Sequence, residues 1–144
     1  MRNDIWRKQA EEDLRIYEAR RRSLTNIPDQ IKELEEKLTS IRSQTADSVC
    51  VKGGGGSKDD AYLNNIVARD CLAANLEENR RFVSRVCNAL GALNEDEMEL
   101  LRRFYMNPER GAAYNMAEEK HVDHKTVYKW KDTALEKFAT AMYG

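Results

Sequence analysis

Ile31, Leu34, Leu38 and Ile41 recur at 3-4-3 spacing with Glu and Lys on the flanks, which is the pattern of a helix that buries one narrow seam. A helix of this length is marginal on its own in water, so it needs a surface to pack on. The seam serves either as intramolecular core or as a homodimer interface, and the residues alone leave both open. Ile27 lies one turn earlier and extends the seam up to Pro28. Proline lacks the backbone donor that a helix interior uses, so Pro28 predicts a break, with a second helix over about 29–43. Before it, Trp6, Ala10, Leu14 and Tyr17 share one side of a first helix over about 3–22. Arg20, Arg21 and Arg22 close that helix, where cations suit the dipole.

The composition fits this reading. Charged residues make up 34% of the 144, prolines number only 2 (Pro28 and Pro108), and long runs of Ala, Glu, Leu, Lys and Arg fill the space between. The expected fold class is all-α. Residues 44–58 interrupt the pattern and end in Gly53-Gly54-Gly55-Gly56-Ser57. That run reads as a natural flexible loop, although the same five letters are also the usual engineered linker unit. Asp59 or Asp60 then caps a third helix over about 60–91. Its inward side is read as Leu63, Ile66, Val67, Ala74, Val83, Val86, Cys87 and Leu90, with Asp70 interrupting the stripe. The expected organisation is a helical hairpin or three-helix bundle over 1–92, with its glycine-rich loop at 44–58, followed by a second domain over 93–144.

Several function classes are disfavoured. No apolar stretch is long enough for a membrane span and the first residues have no signal-type apolar core, so the expected location is cytoplasmic. Cys50, Cys71 and Cys87 show no CxxC pairing, which argues against a disulfide framework and a structural zinc site. Cys71 and Cys87 are expected to fill helix faces as small hydrophobes. The glycine run lacks the Lys-Ser/Thr and the preceding strand of a phosphate-cradling loop, and no nucleophile–histidine pair stands in a catalytic context. The expectation is a non-enzyme with no catalytic residue, metal or cofactor. Glu118, His121, Asp123 and His124 are better read as helix-end residues than as metal ligands. The net charge of −1 gives no general nucleic-acid footprint, so any such site has to be local.

Residues 93–144 carry that local candidate. Asn94 caps a helix whose first turn holds Glu95, Asp96 and Glu97, where acids favour the dipole. Asn107-Pro108-Glu109-Arg110-Gly111 reads as a turn. A short helix from about Ala112 to Lys120 leads to the tight connection His121-Val122-Asp123, with Val122 plugging into the core and Asp123 capping a last helix from His124 to about Ala141. Val127, Trp130, Ala134 and Phe138 are expected on its inner side. Short helix, turn and longer capped helix make a helix-turn-helix. On the other face, His124, Lys125, Thr126, Tyr128 and Lys129 occupy the end that would enter a major groove, with no acid between His124 and Lys131. Arg102, Arg103 and Arg110 are candidates for phosphate contacts.

The segments LNEDEMELLRRFY and MAEEKHVDHKTVYKWKDTALEKF resemble region 4 of sigma factors. They are most similar to phage-encoded regulators with a sigma-like C-terminal domain, the ArpU/RinA-type late-transcription activators. Within them, His121-Val122-Asp123, Thr126-Val127-Tyr128 and Ala134-Leu135-Glu136-Lys137-Phe138 match most closely. KGGGG before a helix containing LNNIV looks similar too. The resemblance covers 93–140 and is loose before that. It implies double-stranded promoter DNA as ligand, RNA polymerase as partner, and His124, Lys125, Tyr128 and Lys129 as contact positions. Two residues depart from the motif: Lys120 where an apolar residue is usual, and His121 where glycine is frequent. A phage small terminase subunit, or a sigma-like interaction module that does not read DNA, are the alternative functions.

Overall fold

The computed structural model describes residues 2–47 and 55–144, with side chains over 4–42 and 58–144. Every described element is helical: α1 (Arg2–Asp47), α2 (Gly55–Leu90), α3 (Glu95–Leu101) with a π-helical turn over Arg102–Met106, α4 (Ala112–Lys120) and α5 (His124–Tyr143). This is the all-α class expected from composition. No helix among the described residues is long and apolar enough to cross a membrane.

The two expected N-terminal helices are one. Pro28 sits inside α1. Leu24, Ile27, Ile31, Leu34, Leu38 and Ile41 keep to one side of the helix across it, all buried or half-buried, while Pro28 itself is exposed. A proline in a helix interior costs about 3 kcal/mol, and burying a single Ile or Leu contributes about 1.5–3 kcal/mol. Continuing the seam through Pro28 therefore outweighs the lost hydrogen bond. The helix ends differ as well: 44–47 continue α1 and 55–58 belong to α2, while the rest of the expected loop, residues 48–54 with Cys50, lies outside the described residues.

The chain divides into two compact units, one of residues 22–80 and one of 1–21 with 81–144. The cut does not fall at 92/93. The first turns of α1 pack with the C-terminal helices because Ala10, Leu14 and Tyr17 are buried there, whereas Leu93 is itself core rather than a linker.

In the unit of residues 22–80, three hydrogen bonds set α1 and α2 antiparallel. Asn79 Nδ2 donates to Ser23 Oγ (2.8 Å), Asn65 Nδ2 to the Leu34 carbonyl (2.8 Å), and Arg42 Nη2 to the Tyr62 hydroxyl (2.9 Å). The Ile31–Ile41 seam is thus packed within the chain. On α2 the facing residues are Tyr62, Asn65, Arg69, Leu72, Leu76 and Asn79, all buried or half-buried. Leu63, Val67, Ala74 and Cys71 are exposed, contrary to the expected inward stripe. The 3-4 spacing is intact on α2, but polar residues occupy three of its seam positions, so apolarity alone selects the neighbouring face.

In the unit of residues 1–21 and 81–144, the seam of α2 holds Val83, Val86 and Leu90 as expected, with Phe82 and Ala89 beside them. Cys87 is exposed rather than core. Its Sγ lies 3.0 Å from the Tyr17 hydroxyl, which burial and this thiol push up to about 12. Phe138, Leu135, Val127, Leu101 and Leu14 are fully buried around α5. The end of α5 is tied to the start of α1: Trp6 stacks on Tyr143 at 4.7 Å and 16°, and the Tyr143 hydroxyl donates to the buried Asp13 carboxylate. Burial and that bond hold the Tyr143 phenol well above the ordinary tyrosine range. Trp6 remains 38% exposed, so it covers the Tyr143 ring without itself being part of the buried core.

Because Pro28 is exposed and the helix continues through it, Pro28→Ala restores a backbone donor without disturbing the seam. The expected outcome is a more stable protein, by roughly 1–3 kcal/mol, read as a higher midpoint in urea unfolding followed by circular dichroism.

Candidate nucleic-acid interface

The interface is built on the connection between α4 and α5. His121 adopts a left-handed backbone (φ 55°, ψ 43°), as a residue ending a helix in this way must. The Val122 N–H donates to the Ala117 carbonyl (3.0 Å) and the His121 N–H to that of Glu118 (3.4 Å), the paired bonds that close a Schellman turn. Val122 is drawn against a core of Leu100, Ala113, Met116, Ala117 and Val127. Histidine carries a steric cost in this conformation that glycine does not, and the turn bonds with the burial of Val122 offset it.

In the same unit, Asn94 Oδ1 accepts from the Glu97 N–H (2.8 Å), the cap expected from sequence. Asp123 does not cap in the same way. Its backbone is extended and its carbonyl accepts from the Thr126 and Val127 N–H groups, but its side chain makes no capping bond. Its Oδ1 instead lies 3.0 Å from His124 Nδ1. The cap position is occupied as expected; the carboxylate is used to orient the imidazole.

Val127, Ala134 and Phe138 are buried as expected, and Trp130 is not. Trp130 is 41% exposed and, with Leu100, Met116, Lys120, Thr133 and Lys137, lines a cavity of about 340 Å³. Counting by three and four put it beside Val127 and Ala134, yet it falls at the edge of the apolar arc, where Leu135 and Ala139 complete the buried side instead. Lys120, the departure from the sigma pattern, borders the same cavity, so its stem covers apolar wall while its ammonium meets solvent.

The first turns of α5 carry the candidate residues. Lys125 and Lys129 are exposed and make no ion pair among the described residues. His124 is partly exposed, Tyr128 is 42% exposed, and Thr126 is half-buried. Asp132, the next acid along, is engaged by Arg7 (2.6 Å) and Lys131 (3.0 Å). Those partners hold its carboxyl below the usual range against the opposing effect of burial. Arg102 and Arg110 are exposed, and Arg102 lines a cleft with Tyr17, Glu18 and Arg21 of α1.

Arg103 is placed otherwise. Its guanidinium meets Glu119 (2.8 Å), Glu109 (2.5 Å) and Glu99 (3.5 Å), and only 16% of the side chain is exposed. Hydrogen bonds to Glu119 and Glu109 raise it further above its already high range. It fastens the end of α3, the following turn and α4 together, and is not available to a phosphate. The carboxylates that capture it lie 4, 6 and 16 residues away along the chain, and only the last is out of reach of local reading.

Three residues of this face were not among those expected. Tyr114 of α4 lies 5.0 Å from His124, ring to ring, and is 62% exposed. Phe104 meets Tyr128 edge-on at 5.9 Å, and Lys131 Nζ sits 5.7 Å from the ring centres of both. An exposed tyrosine on a helix whose other side is Ala113, Met116 and Ala117 was the available signal. Among the described residues no group of three potential metal ligands occurs. Comparison with protein-family models, curated proteins and solved structures finds no match.

Glu119 is held below its ordinary carboxylate value, chiefly by its hydrogen bond to Arg103. A lowered folded value means that the pair stabilises at neutral pH and that this contribution disappears as pH falls through the folded value. Thermal melts of Arg103→Gln should therefore lie below wild type at neutral pH, with the gap narrowing in acid.

Proposed function

We propose that this chain is a sequence-specific DNA-binding regulator of transcription, of phage or prophage type, which inserts the first turns of α5 into the major groove of promoter DNA. The observation that carries this reading is the pairing of a rigid α4–turn–α5 connection with Lys125 and Lys129 on the outer side of the helix that follows it. A helix-turn-helix reader needs that combination: a second helix whose angle is set by a turn anchored to the core, and donors on its leading turns left unengaged by the protein. His124, Lys125, Tyr128 and Lys129 reach base edges and adjacent phosphates, Thr126 lies alongside, and Arg102 and Arg110 meet the backbone. Arg103 has no part in it. RNA polymerase is the partner that such an activator would meet at a late promoter.

Fragments of the protein's own genomic neighbourhood, titrated across a salt series, test this. The expected result is one fragment bound in preference to the rest, with affinity falling as salt rises. For Lys125→Ala/Lys129→Ala, loss of two phosphate contacts lowers the salt slope by about 1.8; if the lysines meet bases instead, about 1–3 kcal/mol of discrimination is lost per contact. Absence of binding at low salt, or unchanged binding by the double variant, rejects α5 as the reader.

A further inference from the structure

We infer that the aromatic face beside the start of α5 is a stacking platform for an unpaired nucleobase, so that this chain prefers DNA with a locally opened step over uninterrupted duplex. The inference rests on the DNA reading above and specifies the form of DNA that the same site takes.

The rings form a continuous series. Phe104 packs against the core and receives Tyr128 edge-on at 5.9 Å. Tyr128 meets His124 at 6.4 Å and 85°, and His124 meets Tyr114 at 5.0 Å and 30°. These separations fall within the range in which aromatic pairs attract. His124 is also held by Asp123 at its Nδ1 edge. The outermost ring, Tyr114, is therefore backed by a supported ring while most of its own surface meets solvent.

A helix that only reads duplex edges has use for His124, Lys125, Tyr128 and Lys129 but none for the exposed Tyr114 ring held beside His124. An aromatic ring held by a neighbouring ring and largely open to solvent is what a nucleobase stacks on, and any base has the π-face to do so. Bases inside a duplex are already stacked on each other and cannot present that face; an extruded, mismatched or single-stranded base can. Lys125 and Lys129 on α5, and Arg110 one turn before Tyr114, add the cations that hold a displaced strand. Because stacking tolerates any base, the platform selects DNA form and leaves sequence selection to the donors of α5.

Fluorescence anisotropy with a short labelled duplex, the same duplex carrying a mismatched bubble, and its single strand tests the proposal with wild type, Tyr114→Leu and Tyr114→Phe. Circular dichroism melts accompany each variant. The expected result is a bubble bound about fivefold or more tighter than duplex, the gain of one stacked base, with the preference kept by Tyr114→Phe and lost by Tyr114→Leu while duplex affinity stays constant. Equal binding of bubble and duplex by wild type overturns the platform and leaves the DNA reading standing. A bubble preference that Tyr114→Leu retains in full also overturns it, because the selectivity then arises elsewhere. Absence of binding to any of the three probes at low salt overturns both.

Discussion

The close approach of α4 to α5 is the contact on which the presented face depends. Ala113 and Ala117 let the two helices come together, and Met116, Leu100 and Val127 fill the space beside them. Small residues at two successive turns remove the bulk that would otherwise hold the axes apart. Val122 continues the same core from the turn, so the direction in which α5 leaves it is set by burial as well as by the left-handed backbone of His121. A larger side chain at 113 or 117 would shift every donor on the first turns of α5, because they all project from one rigid helix.

A chain with a net charge of −1 can still present a local cationic face if its carboxylates are used internally, and here many are. Glu99, Glu109 and Glu119 converge on Arg103, Asp132 pairs with Arg7 and Lys131, and Asp13 accepts from Tyr143. Glu95, Asp96 and Glu97 crowd the N-terminal turn of α3, where the helix dipole favours them, and Glu97 also holds Lys137. Such exposed pairs each add little to stability. Their larger effect is distributional: they leave Lys125 and Lys129 without a carboxylate partner on the described surface, which is the condition the proposed DNA reading requires.

Rules that act over a few residues were legible in advance. The cap at Asn94, the turn at 121–123, the plug at Val122 and the start of α5 all lie where the residue types placed them, because their hydrogen bonds close within about one helical turn. The seam at Ile31–Ile41 was equally legible, since 3-4 spacing puts side chains on one side of any helix. Pro28 shows where a local rule fails. Its penalty is real, but the helix is continued by side chains that bury against α2, and no local pattern contains that partner.

The amino-acid sequence by itself determined an all-α protein with a capped α3 and an α4–turn–α5 connection, because helix propensity, caps and turn chemistry are properties of neighbouring residues. Only the tertiary structure decided the rest. It chose which face of α2 is buried, placing polar Asn65, Arg69 and Asn79 in the seam and exposing Leu63 and Val67. It took Arg103 out of the candidate interface, opened a cavity at Trp130 and aligned Tyr114 with His124. Those outcomes depend on which distant groups meet once the helices pack, and contacts between elements are long-range facts that spacing along one helix does not encode.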